Sequence, residues 1–388
     1  MDKPLREPLL RPVMPELDAV RGIAILGVVF YHGFVWVRDL SVYTGLQRKF
    51  FLVLTAGQFG VPLFFVLSGF LITGILLDSR TRPDYYKRFY LRRALRILPV
   101  YYLVLLILVI VGRSNGTFLV LSLVFSSNLT SLFGATMSYA VLWSLAVEEH
   151  FYLLWPSAVR RISDTHLMIL ALVISVISPL LRYICHLHAS AMHVIDYGCA
   201  FYTWNVADGL AWGAFLALAI RALKFDRIRV LQLSIALFAA AFSLIAIGLP
   251  FGITSRKTPL GEALQSVPWT LSFTGLIAAF LLIGTSSWKK LAAPSILQFF
   301  GWISYGLYMY HLLVFETYSR VMYWLAPHFI SRLSPWQEVW LRFIIAGGAA
   351  VGISYLSRRY FEQFFLDFKK RYTPRTAETL IRPRETLG

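Results

Sequence analysis

Apolar runs long enough to cross a bilayer constrain this chain more than any other feature. They lie near 21–38, 60–78, 98–113, 142–159, 167–187, 200–221, 230–250, 267–286, 299–318 and 338–358. A helix of about 20 mostly apolar residues spans the hydrocarbon of a bilayer. The expectation is an all-α, polytopic membrane protein with about ten transmembrane helices. A further apolar piece, 117–129, is short and broken by Ser126, Ser127 and Asn128. It is expected to dip into or lie along the outer side.

Charge sets the orientation. The chain is 57% hydrophobic and 15% charged, yet its formal net charge is +17. Binding to nucleic acid would need a basic patch on a folded soluble domain, and no segment is long enough to form one. With a cytoplasmic N-terminus and ten spans, 27 of the 37 Lys and Arg fall on the inside or at its border. Counting 117–129 as a crossing would move the later clusters outside, against the positive-inside rule. Both termini are therefore expected in the cytoplasm. Residues 1–20 form an N-terminal segment, 21–365 the membrane domain, and 366–388 a basic tail expected to be disordered. The N-terminus lacks the pattern of a secretory signal. Cys185 and Cys199 are too few for a disulfide framework or a metal cluster, and no metal is called for.

Ionisable groups inside spans are costly and mark candidate functional positions. In LDAVRGIAILGVVFYHGF (17–34), Arg21 and His32 are eleven residues apart. On an α-helix that is three turns plus about 20°, so the two share a face, about 16.5 Å apart along the axis. Tyr31 adjoins His32. His32 is either a bonded core imidazole or a working base, and Arg21 either an interfacial anchor or part of a site. In YYKRFYLRRALRILPVYY (85–102), Arg88, Arg92, Arg93 and Arg96 make a basic face that Pro99 is expected to end. Arginine forks suit phosphate oxygens, and equally suit anionic lipid. In WSLAVEEHFYLLWP (143–156), Ser144 and Glu148 are neighbours at i and i+4, followed by Glu149 and His150. Ser304, Tyr308 and His311 share one face of a later span. Asn205 and Asp208 are polar within another, and Glu362 ends the last. Together these groups suggest a cavity open to the cytoplasm, with an anionic ligand's head at its mouth and the reactive end near His32.

In this order, LDAVRGIAILGVVFYH, GVPLFFVLSGFLITGILL, RRALRILP, LWSLAVEEHFYLLWP and GWISYGLYMYHLLV resemble the acyltransferase-3 family of integral membrane O-acyltransferases, over roughly 15–365. The resemblance implies that His32 is the catalytic base, with ten residues between it and Arg21. It places acyl-CoA contacts at Arg93 and Arg96, with Arg92 beside them, and a Ser-x3-Glu motif at Ser144 and Glu148. It implies transfer of an acyl group, acetyl by default, from cytoplasmic acyl-CoA to a hydroxyl. The acceptor would be an exopolysaccharide, a lipopolysaccharide O-antigen, peptidoglycan or a similar glycan or glycolipid, or else a small-molecule natural product. The setting implied is a bacterial inner membrane, with membrane lipids as the surroundings. The chain looks like the stand-alone form, without a fused extracytoplasmic hydrolase-like domain. Two departures stand out: Pro62 where relatives often carry an acid after Gly-Val, and Asp208 as the sole match to an Arg-x-x-Asp-like segment.

Acyl transfer needs a base for the hydroxyl and stabilisation of the oxyanion. His32 suits the base, with Glu148 expected to orient it or stabilise its imidazolium. Direct transfer and an acyl-histidine relay both fit. The competing class is a proton-coupled exporter of a glycan or lipid, with His32 and Glu148 as relay. Against it, no two-fold repeat of broken helices is visible.

Overall fold

The structure is a computed structural model that describes residues 8–11, 13–36, 39–188, 198–255 and 258–372. Every regular element among them is helical. The ten long helices are α1 (Pro15–Val35), α2 (Gly45–Ser79), α3 (Tyr85–Ile110), α4 (Leu142–Arg161), α5 (Asp164–His188), α6 (Asp208–Ala222), α7 (Arg227–Gly248), α8 (Val267–Gly284), α9 (Ser295–Leu325) and α10 (Pro335–Phe368). Each apolar run maps onto one of them, although 200–221 begins before α6 and its first part holds a separate short helix, Thr203–Val206. Seven helices are long and apolar enough to cross a membrane on those grounds alone. The other three are α4, α6 and α9. α6 is short at 15 residues, while α4 and α9 are diluted by polar groups such as Glu148, Glu149, Ser304 and His311. The piece at 117–129 forms an eight-residue helix, Gly116–Leu123, and a tight turn, Ser127–Phe133. Eight residues rise about 12 Å, too little to cross.

The core is apolar contact between helices rather than a central layer. One cluster joins Ile25 and Val28 of α1, Val100 and Val104 of α3, Leu142 and Leu145 of α4, and Ile303 and Leu307 of α9. A second joins α1, α2, α6 and α8 through Val20, Val66, Leu216 and Ile277. Side chains facing away from these clusters stay apolar and exposed, as Leu154, Val176 and Phe242 do. A belt of this kind suits hydrocarbon as its solvent.

The most extensive packing is α1 against α9, and small residues permit it. A Cβ at Gly22 would run into the Leu297 carbonyl, and one at Gly301 into the Asp18 carbonyl. Without these glycines the helix carrying Arg21 and the helix carrying Ser304, Tyr308 and His311 could not approach so closely.

Two local features depart from the sequence expectations. Pro99 does not end the basic helix: α3 runs through it from Tyr85 to Ile110. The Tyr305 hydroxyl donates to the Ile97 carbonyl, two residues before the proline, at 2.7 Å, which ties this part of α3 to α9. The arginine face and the span beyond it are therefore one continuous helix. The second departure is in α1, whose regular turns stop at Phe30 and give way to a π-turn, Tyr31–Val35. Its wider turn, closed by the Trp36 N–H on the Tyr31 carbonyl at 2.9 Å, shifts the side chains that follow it.

Cys185 and Cys199 form a disulfide, one bridge where no framework was expected. In the orientation set by the basic residues it lies on the outer side, where disulfides persist. At the other end, the helical course of α10 continues to Tyr372. The rest of the expected tail, 373–388, falls outside the described residues.

Candidate active site

One cavity gathers most of the polar groups. Its lining includes Arg21 from α1, Ser68 from α2, Arg93 and Arg96 from α3, Ser144, Glu148, Glu149 and Tyr152 from α4, and Ser304, Tyr305 and Tyr308 from α9. It holds about 860 Å³ of space free of protein atoms, open water at its mouth included. Arginines cluster at the end expected to face the cytoplasm, and the Ser144–Tyr308 pair lies deeper.

The arginines are held differently. Arg21 is ion-paired to Asp18 one turn back. The Arg93 guanidinium lies over the Tyr152 ring, 4.3 Å from its centroid. The Tyr152 hydroxyl donates to Glu148 Oε2 at 2.6 Å and is also bonded to Ser68. Glu148 thus braces Tyr152, and Tyr152 braces Arg93. Arg96 is exposed to the cavity and has no ion-pair partner among the described residues. An uncommitted guanidinium is suited to an incoming anion. Arg92, expected beside them, does not line the cavity. It lies one residue before Arg93, and about 100° of helix rotation turns it away.

Deeper in, the Ser144 and Tyr308 hydroxyls share a hydrogen bond at 2.5 Å, and Tyr308 also donates to the Val141 carbonyl at 3.1 Å. Ser304 donates back to the Gly301 carbonyl at 2.8 Å.

His32 lies outside this lining. Its Nδ1 is 3.0 Å from Nε2 of His311, and its ring meets Tyr31 and Trp36 edge-on at 5.4 Å each. His311 is fully buried and sits 6.0 Å, ring to ring, from Tyr308. The histidine pair is therefore one aromatic ring removed from the cavity wall. The expectation that Glu148 orients His32 is corrected: Glu148 bonds Tyr152, and His311 bonds His32. The reason is helical placement, since Glu148 is one turn closer than Ser144 to the arginine end.

The bonds assign the proton positions. His311 Nδ1 is 2.9 Å from the Leu307 carbonyl, an acceptor only, so Nδ1 carries hydrogen. A neutral His311 then offers a bare Nε2, and His32 donates to it from Nδ1. The lone pair of a neutral His32 is left on Nε2. The π-turn behind it is held by Arg342 of α10, which donates to the Gly33 carbonyl at 2.9 Å.

Asp208 plays another part. It takes a two-pronged ion pair from Arg182 of α5 at 3.0 and 3.1 Å, and both residues are buried. The arginine missing from the Arg-x-x-Asp-like segment is supplied by a different helix. Asn205 donates to the Cys199 carbonyl at 2.7 Å. Glu362 is buried, and its bond from Ser357 is long at 3.4 Å; it does not line the cavity.

Tyr152, Ser68 and Tyr305 were not anticipated. Tyr152 was recoverable, since it stands at i+4 from Glu148 and i+8 from Ser144 on the same face. Ser68 and Tyr305 carry no comparable signal.

The fold is a membrane helix bundle with an arginine-lined cavity and a histidine pair beside it. Residues 14–359 match the acyltransferase domain of the acyltransferase-3 family, and the chain belongs to that family. Membership of an acyltransferase family weighs against the exporter reading. The chain is similar to the peptidoglycan O-acetyltransferase OatA of Listeria monocytogenes, at 30% identity over 38% of this chain and 24% of that protein. It is also similar to a putative peptidoglycan O-acetyltransferase of Bacillus subtilis, at 33% over 37% and 23%. A putative O-acetyltransferase of Staphylococcus aureus gives 32% over 37% and 24%. The matched stretch spans about a quarter of the length of these relatives. No solved structure matches the chain.

Proposed function

We propose that this protein moves an acyl group, acetyl in the simplest case, from cytoplasmic acyl-CoA to a hydroxyl of a cell-envelope glycan. The observation that carries this reading is the single cavity in which Arg21, Arg93 and Arg96 meet Ser144 and Tyr308 beside the His32–His311 pair. The arginines hold the phosphates of the coenzyme by charge-assisted hydrogen bonds. The acyl end points toward Tyr308. Nε2 of His32 takes the proton of the acceptor hydroxyl, and the oxygen attacks the thioester carbonyl carbon. The C–S bond then breaks, and the coenzyme leaves as a thiol after the imidazolium returns the proton. The Ser144 and Tyr308 hydroxyls are the donors nearest the developing oxyanion. Glu148 acts at the donor end, keeping Tyr152 and Arg93 in place. A glycan acceptor is favoured by the names of the relatives, two of which specify peptidoglycan.

The test is transfer by purified protein in liposomes, with radiolabelled acetyl-CoA and isolated envelope glycan. His32→Ala is expected to lower turnover by about a hundredfold or more, the scale of a general base, while still binding acetyl-CoA. Arg93→Ala is expected to weaken acetyl-CoA binding about tenfold or more, as loss of a charged hydrogen bond does. Wild-type turnover by His32→Ala would sink the assignment of the base.

A further inference from the structure

A second cavity lies at the opposite end of the bundle. It is lined by the Gln58 to Phe65 part of α2, Trp143 of α4, Phe201, Asp208 and the stretch around Glu262 to Thr270, and holds about 670 Å³ free of protein atoms, open water at its mouth included. In the orientation set by the basic residues it faces outward. The Cys185–Cys199 bridge anchors the chain just before its wall at Ala200 and Phe201.

We propose that this outer cavity seats a neutral sugar ring of the acceptor, an inference that rests on the glycan-acyltransferase reading above. Its chemistry excludes an anion. The cation on its wall, Arg182, is already spent on Asp208 and on the Ala263 and Asn205 carbonyls. What remains is the carboxylate of Glu262, only 7% exposed, with a bond from the Gln265 carboxamide at 3.1 Å and no cation paired to it among the described residues. A buried carboxylate of this kind is an acceptor in want of donors, and hydroxyl and acetamido groups supply them. On the wall of the same cavity, the Trp143 indole is stacked on Phe201 at 4.8 Å. That gives a rigid apolar platform for the C–H face of a pyranose.

The position suits an acceptor. Val61 and Phe65 line both cavities, so two side chains separate the sugar seat from the acyl end of the donor cavity. Trp143 meets Phe65 edge-on at 5.8 Å. Its neighbour Ser144, one helical step on, faces the inner cavity. Adjacent residues of one helix thus serve the two substrates.

The experiment uses the full chain in nanodiscs. Binding of neutral oligosaccharides, with a β-1,4-linked N-acetylglucosamine tetramer as the lead probe, is read by saturation-transfer NMR. Acceptor KM and acetyl-CoA affinity are measured alongside. Trp143→Ala and the isosteric Glu262→Gln should each weaken sugar binding and raise acceptor KM about tenfold or more, with acetyl-CoA affinity unchanged. Glu262→Gln keeps shape, so a conserved melting temperature removes misfolding as the cause. If the wild type binds none of the oligosaccharides, or the variants bind as it does, the sugar seat is wrong. Transfer by the wild type with unaltered acceptor KM in both variants would overturn the seat and leave the enzyme reading standing. Variant-sensitive sugar binding with no transfer to any glycan would uphold the seat and sink the enzyme reading.

Discussion

At the scale of single residues, the deciding contact is that between His32 and His311. One ring is held by a carbonyl that can only accept, and this sets the proton of the other. In the proposed reaction His311 is a positioning residue: it fixes the tautomer and aim of His32 without touching the reacting atoms. His311→Ala is expected to lower turnover about tenfold to a hundredfold, the scale of a misplaced reacting group, with acetyl-CoA affinity unchanged. His311→Gln keeps an acceptor within reach and should recover part of that loss. Equal turnover in the two variants would remove the positioning role. Sequence spacing had already put Ser304, Tyr308 and His311 on one face. It could not say which of them met His32, because that contact joins positions 279 residues apart.

At the scale of elements, site geometry depends on how closely α1 and α9 approach. Gly22 and Gly301 each lie against a carbonyl of the other helix. Gly301→Val should push the helices apart at a cost of about 1–3 kcal/mol, as overpacking does. A lower melting temperature in detergent and weaker acetyl-CoA binding would follow together, since Arg21 and Ser304 line the same cavity. The π-turn at Tyr31–Val35 belongs to this scale too. No residue in that stretch announces it; the Arg342 bond to Gly33 and the packing of Phe343 against this turn make it visible. Helix periodicity picked out Arg21, Arg93, Ser144 and Glu148, which line one cavity, and His32, which lies outside that lining. Pro99 is the converse case. Locally it predicts a break, but α3 continues past it with Tyr305 bonded alongside.

At the scale of the whole molecule, sidedness is the main question. In intact cells a membrane-impermeant thiol reagent should label Cys185 and Cys199 from outside, and only after reduction. Labelling without a reductant would remove the disulfide, and labelling only in opened cells would invert the topology. The outcome bears on both cavities at once, since the arginine-lined one must then open inward and the tryptophan-lined one outward. The amino-acid sequence by itself determined the membrane class, the helical runs, the charge asymmetry and most of the polar residues of the arginine-lined cavity. Those properties are carried by composition and by spacing within one helix. Only the tertiary structure decided that Glu148 serves Tyr152 and His311 serves His32, that Asp208 is matched by Arg182, and that Val61 and Phe65 stand between two cavities. Each of these is a meeting between helices, set by how closely their backbones pack and by where a turn widens. Neither is written in the periodicity of any single run.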